Sequence, residues 1–293
     1  MTRLAVVRAW RRCRRDRPSP VATTDQPETR SDEGLPLPPL EMRELVGVTD
    51  PESFEQPRGV PVFPTLAESQ YESVLDFGCG CGRFARRLAL AAAPTPKRYL
   101  GIDLHRGMIE WDQANLSPRL PGFRFEHHDV FNPGFNPNPR LPRVAPIPAE
   151  DQSVTLFIAY SVFTHLLQPS AEHYLGEVAR VLRPGGVLLS TWFLFDKALF
   201  PMMQDFQNAL YINSDDPTNA VIFDRRWLIE SLEARGLRIR AATPPGMRGF
   251  QWLIEIEPGV GSIPLPEDLA PLGRKPPPVC GQHPSRVRSE AST

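Results

Sequence analysis

The stretch SVLDFGCGCGRF, residues 73–84, decides the fold of this chain. It begins with an apolar run that predicts a buried strand, and it ends where a helical pattern starts. Between the two, Gly78, Gly80 and Gly82 stand at alternate positions. Their missing side chains allow a ligand to lie against the backbone at the start of the helix. The stretch therefore predicts a strand, a ligand-binding turn and a helix.

Outward from this turn, short apolar runs alternate with amphipathic runs along most of the chain. Such alternation is typical of β-α units that build a mainly parallel sheet with helices on both faces. We expect an α/β, doubly wound fold, whose ligands bind beyond the carboxyl ends of the strands. Strands are predicted at 73–77, 98–103, 123–127, 154–159, 186–193, 238–242 and 250–256, and helices at 83–92, 107–115, 171–182 and 226–234.

Proline marks the limits of the folded part. The 34 prolines among 293 residues crowd the two ends, where apolar residues are sparse. Because such segments bury too little surface to offset their ordering entropy, residues 1–39, whose beginning is Arg-rich, and residues 258–293 are predicted to be disordered. Between them we expect an N-terminal cap segment, 40–70, and the main domain, 71–257. The apolar segment 194–219 is expected to pack in the core or to cover the strand ends.

Charge and cysteine content restrict the function. Lys and Arg total 33 against 34 Asp and Glu, a net charge of -1, so no DNA partner is expected. No apolar run is long enough for a transmembrane segment. The four cysteines do not form a disulfide framework, which favours a reducing, cytoplasmic location. The adjacent His127 and His128 would point to opposite faces of a strand, so no metal site is predicted.

Two acids give the turn its chemical character. Asp103 ends the second predicted strand, where an acid suits the two hydroxyl groups of a ribose, and Asp76 lies within the first strand. A dinucleotide-binding oxidoreductase also has glycines and an acid at these places. Its glycine spacing is G-x-G-x-x-G, however, and its first strand usually has an apolar residue at the position of Asp76.

These motifs resemble the class I S-adenosylmethionine-dependent methyltransferases, in the small-molecule, type 11/12-like branch. The resemblance covers residues 70–193. It rests on Asp76–Gly82, Gly101–Asp103, His128–Val130, Tyr160–Leu166 and Val181–Gly186, in that order. It implies a Rossmann-like, seven-stranded sheet, S-adenosyl-L-methionine as the cofactor and methyl transfer by in-line displacement. One departure is Val154-Thr155, where the family often has Phe-Asp.

The resemblance also implies the site residues. Asp103 would bind the ribose, Asp129 and the following Val130 the adenine, and Tyr160 the methionine part of the cofactor. His165, just beyond the fourth strand, is the candidate general base if the acceptor is a hydroxyl. The predicted cofactor-binding residues are Asp76, Gly78, Cys79, Gly80, Gly82, Asp103, Leu104, Asp129, Val130 and Tyr160.

The expected function is methylation of a small-molecule or glycan acceptor, with oxygen as the expected methylated atom. Two alternatives remain open at this point. One is a binding or regulatory protein that keeps the fold without the activity. The other is a protein or RNA methyltransferase recruited through the Arg-rich tail. Oligomeric state and acceptor identity do not follow from the sequence.

Overall fold

The computed structural model of the chain describes residues 34–140, 142–246 and 249–266. The Arg-rich stretch at the beginning of the chain and the prolines at 276–278, both predicted to be disordered, lie outside the described residues. None of the described helices is long and apolar enough to cross a membrane.

The described strands form a single nine-stranded sheet. They are β1 (Ser73–Phe77), β2 (Arg98–Asp103), β3 (Phe123–His127), β4 (Val154–Ala159), β5 (Leu182–Phe195), β6 (Ala209–Tyr211), β7 (Val221–Asp224), β8 (Leu237–Thr243) and β9 (Gln251–Pro258). The main path of the sheet runs β3-β2-β1-β4-β5-β7-β6, and β9 adds to β5 in antiparallel direction, followed by β8. The pairs of β1 with β2 and β4, of β2 with β3, and of β5 with β4 and β7 are parallel.

Helices cover both faces of this sheet, as the alternation predicted. They are α1 (Leu40–Leu45), α2 (Arg83–Ala91), α3 (Arg106–Asn115), α4 (Gln168–Val181) and α5 (Arg225–Glu233). Apolar side chains of α2 and α3 pack against one face, among them Leu88 and Ile109. Leu175 of α4 and Leu228 of α5 belong to the cluster on the other face. The doubly wound α/β prediction is confirmed.

The predicted number of strands needs correction. Seven were expected, and the segment between β5 and α5 adds β6 and β7. Within β5, only the last three residues, Phe193–Phe195, pair with β7. Strands of three and four residues are too short to give a period-2 pattern in the sequence. β5 also begins four residues earlier than predicted, because Leu182 pairs with Val154 before the register shifts.

The folded part extends beyond both predicted boundaries. Leu35 and Leu37, assigned to the disordered N-terminal tail, are 2% and 3% exposed. After β9, the N–H of Ile263 donates to the carbonyl oxygen of Ile239, and the carbonyl oxygen of Pro266 accepts from the Arg225 guanidinium. Residues 34–39 and 258–266 therefore belong to the packed domain, because local hydrophobic contacts and backbone hydrogen bonds hold them.

A buried arginine fixes the N-terminal segment to the domain. The side chain of Arg86 in α2 is fully buried, and its guanidinium donates to the carbonyl oxygens of Leu35, Pro36 and Phe54. It also forms an ion pair with Glu55 at 3.1 Å. Burial lowers the pKa of Arg86, and the carboxylate of Glu55 opposes that shift. One side chain thus links α2 to both ends of a twenty-residue stretch of chain.

We expect Arg86→Met to destabilise the protein by about 3 kcal/mol, because it leaves three buried carbonyl oxygens and Glu55 without their donor. Urea unfolding would measure the loss, and limited proteolysis would locate the new cleavage sites within residues 34–66. Arg124→Met is the control, since Arg124 is exposed on β3. Equal stability of the two variants would contradict the linking role of Arg86.

Candidate functional site

The glycine turn between β1 and α2 is shaped by its own packing. Gly78, Gly80 and Gly82 have φ values of 78°, 57° and 73°, in the left-handed region that favours glycine. A Cβ on Gly78 would collide with Val162, and one on Gly80 would lie 2.7 Å from Cγ1 of Val46. The glycines are therefore required by backbone conformation and by neighbouring protein atoms. Their role in clearing space for a ligand stays a prediction.

Asp103 holds this turn against the end of β2. Its carboxylate accepts hydrogen bonds from the N–H of Gly80 at 2.9 Å and from the N–H of His105 at 2.7 Å. Beside it, the N–H of Gly78 donates to the carbonyl oxygen of Ile102. The turn after β1 and the end of β2 are thus one hydrogen-bonded unit at the carboxyl edge of the sheet.

The start of α2 is the second part of the site. Gly82 precedes the helix and has no side chain to cap it, so the first-turn N–H groups favour an anionic ligand group. The ring of Tyr160, just beyond β4, packs against Phe84 of this first turn with the centroids 5.0 Å apart. The Arg83 guanidinium lies 4.8 Å from the centroid of the Phe84 ring. The end of β4 therefore meets the start of α2.

Three carboxyl groups lie beneath the turn. Asp76 and Asp112 are buried, Asp103 is half-buried, and desolvation raises the pKa of each. The pKa of Asp76 rises to about 7, although the hydroxyl of Tyr99 donates to its carboxylate at 2.6 Å. Among the described residues, both carboxyl oxygens of Asp112 lack a hydrogen-bond partner. The cluster favours a ligand that brings positive charge.

A small cavity lies next to the ends of β2 and β3. It has a volume of about 190 Å³, and Asp129 is one of its lining residues. The Asp129 carboxylate accepts a hydrogen bond from the Asn136 amide at 2.9 Å and lies 3.2 Å from the Arg140 guanidinium. The Asn136 hydrogen bond is the main cause that lowers the pKa of Asp129. The lining residues are Ile102, Glu126, His127, His128, Asp129, Ala145, Pro146 and Pro148.

The other predicted cofactor residues have packing roles at the same edge. The side chain of Cys79 is buried, and the backbone N–H of Cys79 donates to the carbonyl oxygen of Ile102. The carbonyl oxygen of Leu104 lies 3.0 Å from Nε2 of His127, and Val130 is buried beyond β3. The structure therefore brings the predicted residues to one edge of the sheet.

His165 is oriented by a backbone contact. It ends a short helical turn, Phe163–His165, and its Nδ1 lies 2.9 Å from the carbonyl oxygen of Thr218. A carbonyl oxygen only accepts hydrogen bonds, so Nδ1 carries the proton and Nε2 of the neutral ring holds a lone pair. This tautomer is the one that a base acting through Nε2 requires. The catalytic role of His165 stays a prediction.

The departure at Thr155 has a structural explanation. Its hydroxyl oxygen accepts a hydrogen bond from the N–H of Ser73 at 2.8 Å and lies 2.8 Å from the carbonyl oxygen of Gln70. Thr155 thus joins the beginning of β4 to the beginning of β1, at the edge opposite the glycine turn. The threonine satisfies buried backbone groups away from the site.

Sequence reasoning missed several residues of this edge. Asp112 was not selected because a single acid in an amphipathic helix usually faces solvent. Ser161 has a φ of 56°, which is strained for a residue with a side chain, and its hydroxyl lies 3.0 Å from Oε1 of Gln251. Ninety residues separate that pair along the chain, so no local pattern could indicate the contact.

Comparison with known proteins agrees with this architecture. Residues 74–186 match the family model described as "Methyltransferase domain". A phthiotriol/phenolphthiotriol dimycocerosates methyltransferase from Mycobacterium ulcerans is 33% identical over 127 residues, 43% of this chain and 40% of the relative. An uncharacterized 37.1 kDa protein of transposon TN4556 from Streptomyces fradiae is 33% identical over 118 residues, 40% of this chain and 29% of that protein. The chain thus spans less than half of the length of either relative.

The match to the family model covers the glycine turn, Asp103, the cavity and the end of β4. Residues 74–186 therefore form a methyltransferase domain of the class I, S-adenosylmethionine-dependent type. A solved S-adenosylmethionine-dependent methyltransferase from Methanosarcina mazei is similar with a TM-score of 0.45 and 18% identity, covering 69% of this chain and all of that one. The described residues fit the cofactor: S-adenosylmethionine carries positive charge and a carboxylate, which suit the buried acids and the uncapped start of α2.

The raised pKa of Asp76 predicts a pH-dependent stability. Its ordinary value is 3.8 and its folded value is about 7, so the folded state holds the proton that the unfolded state releases in this range. Stability from the protonated group is therefore lost as the pH rises from about 4 to 7. We expect Asp76→Asn, which can still accept the Tyr99 hydrogen bond, to be more stable than the parent above pH 7 by on the order of 4 kcal/mol.

Urea unfolding of the ligand-free proteins between pH 5 and 8 would measure this difference. The gap between variant and parent should widen with pH. Asp151→Asn is the control, because Asp151 is exposed and precedes β4 at the opposite edge of the sheet. Parallel stability curves for Asp76→Asn and the parent would show that the buried carboxyl is ionised throughout.

Proposed function

We propose that the protein transfers the methyl group of S-adenosylmethionine to a hydroxyl oxygen of a small-molecule or glycan acceptor. The observation that supports this most strongly is the position of Asp103, whose carboxylate holds the glycine turn at the carboxyl edge of the sheet. When bound, the cofactor supplies a methyl group on a positively charged sulfur, which is already activated for displacement. The protein therefore has mainly to align two ligands and exclude water.

Each part of the edge has a role in this proposal. Asp103 would bind the ribose hydroxyl groups, and the cavity beside Asp129 and Val130 would hold the adenine. The first-turn N–H groups of α2 would bind the carboxylate of the methionine part, with Asp76 and Asp112 favouring its positive charges. The named activity of the Mycobacterium ulcerans relative, a methyltransferase, supports the reaction type.

An oxygen acceptor needs a base to take its proton. His165 suits this role, because the Thr218 carbonyl fixes the tautomer that leaves Nε2 free of hydrogen. Burial of Tyr160 raises the pKa of its hydroxyl, so that group stays protonated at neutral pH and would serve as a hydrogen-bond donor to the acceptor. The two residues would divide the work of deprotonating and orienting the hydroxyl.

Calorimetric titration of S-adenosylmethionine into the full chain tests cofactor binding without an acceptor. We expect micromolar affinity for the parent and about a 10- to 100-fold loss for Asp103→Asn, which removes the charge of the carboxylate. Asp151→Asn is the matched control and should bind like the parent. A folded parent that binds neither S-adenosylmethionine nor S-adenosylhomocysteine would overturn the proposed function and favour a binding protein without the activity.

His165→Gln should lower turnover at least about 100-fold while leaving cofactor affinity unchanged, because general-base catalysis contributes at least that factor. Release of S-adenosylhomocysteine, with the most active of a panel of hydroxyl acceptors, is the readout. Unchanged turnover with a lowered thermal midpoint would assign His165 a purely structural role.

A further inference from the structure

An exposed aromatic surface lies at the edge where β4 and β5 end. It comprises Phe193 and Phe195 of β5, Phe200 and Phe250, here called the aromatic cluster. The rings of Phe193 and Phe250 are 6.3 Å apart and nearly perpendicular, and those of Phe195 and Phe200 are 5.5 Å apart with a similar geometry. Phe200 is 44% exposed and Phe250 is 53% exposed among the described residues.

The chain near the aromatic cluster exposes further apolar side chains. The segment after β5 exposes Leu199 by 75%, Met202 by 89% and Phe206 by 76% in the part of the chain that the structure describes. Of the two expectations for segment 194–219, packing in the core does not hold for these residues. Exposed apolar side chains that lie close together are typical of binding sites.

The segment is anchored, so its exposure is not that of a loose loop end. The N–H of Lys197 donates to the carboxylate of Asp224, which also caps α5. The ammonium group of Lys197 donates to the carbonyl oxygen of Asp205 and to the amide oxygen of Asn208. Because that ammonium group already has oxygen partners, the segment presents an apolar surface and not an anion site.

A polar corner adjoins the aromatic cluster. The N–H of Ser161 donates to the hydroxyl oxygen of Thr191 at 2.8 Å, and the Ser161 hydroxyl lies 3.0 Å from the amide oxygen of Gln251. Gln251 pairs with Phe193 across β5 and β9, and it follows Phe250 in the chain. The polar corner and the aromatic cluster therefore share one edge of the sheet.

The polar corner is also next to the glycine turn. Val162, which follows Ser161, is the residue that a Cβ on Gly78 would strike. The order along the edge is thus the glycine turn, the polar corner and the aromatic cluster. Strain at Ser161, whose φ is 56°, is characteristic of positions held for function.

We propose that the acceptor is amphipathic, with a hydroxyl group at Ser161 and Gln251 and a hydrocarbon or aromatic body on the aromatic cluster. This deepens the proposed function, since it names the class of acceptor for the same site. The occupant follows from continuity: the apolar surface begins where the polar corner ends, and the polar corner borders the cofactor turn. A polar glycan alone would leave the aromatic cluster uncovered.

Binding of a 4-alkylphenol series to the full chain tests this without turnover. Phenol, 4-ethylphenol, 4-butylphenol and 4-hexylphenol are titrated by calorimetry in the presence of S-adenosylhomocysteine. We expect the dissociation constant to fall by up to about fourfold for each added methylene, because each is transferred from water to an apolar surface. The double variant Phe200→Ser/Phe250→Ser should show a nearly flat series.

Phe135→Ser is the matched control, since Phe135 is 42% exposed on the loop that follows β3, at the other end of the sheet. It should retain the steep series. Circular dichroism and thermal midpoints would verify that all three proteins are folded. Both altered residues of the double variant are exposed, so we expect it to fold.

A flat series in the parent would overturn the proposal, because another occupant, such as a second copy of the chain or residues 1–33, would then cover the surface. If a second copy covers the surface, sedimentation velocity would show the parent as a dimer and the double variant as a monomer. An equally steep series in the double variant would also overturn it. Titration of S-adenosylmethionine in the same preparations separates these failures from failure of the proposed function, which would instead abolish cofactor binding.

Discussion

A hydrogen bond from the backbone N–H of Gly80 to the carboxylate of Asp103 joins the turn after β1 to the end of β2. With this contact in place, the turn keeps three left-handed glycines at alternate positions, and α2 begins with uncapped N–H groups. Val46 of the N-terminal segment then packs against Gly80. Arg86 of α2 holds the same segment through its hydrogen bond to the carbonyl oxygen of Leu35. The geometry of the cofactor edge and the anchoring of residues 34–66 depend on this one turn.

The same turn is electrostatically costly. Burial disfavours the charged forms of Asp76 and Asp112, and Asp103 raises the pKa of both. A ligand with positive charge near these groups would favour their ionised forms. Its binding energy would then offset the desolvation cost of the buried carboxyl groups in the ligand-free protein. This arrangement is common where a protein trades stability for function. It also explains why acids occupy positions that apolar packing alone would fill.

The sequence predicted the central sheet well, because β1 to β4 are short apolar runs bounded by turn residues, and all four have the predicted limits. It also predicted an acid at the end of β2. The observed register of β1 and β2 places this acid, Asp103, beside the glycine turn. β6 and β7 escaped detection because they are too short for a periodic signal. Arg86 escaped because its partners are backbone carbonyl oxygens, whose position no residue type reveals.

The acceptor side was the least predictable part of the site. Its polar corner joins Ser161 to Gln251 through a long-range contact, and its apolar surface comes largely from segment 194–219, for which the sequence left both core packing and covering of the strand ends open. Hydrophobic residues usually lie inside a protein, and only the tertiary structure shows which of them remain outside. The glycine turn of the proposed cofactor site, in contrast, is one continuous motif that the sequence shows directly.

Hydrogen–deuterium exchange of the full chain with and without saturating S-adenosylhomocysteine tests the cofactor edge most directly. Bound ligand should protect the peptides of residues 76–86, 101–106 and 127–131, and it should leave α5 unchanged. Protection confined to these three stretches would show that the glycine turn, Asp103 and the Asp129 cavity form one binding site. No protection there, or protection elsewhere in the chain alone, would contradict the site.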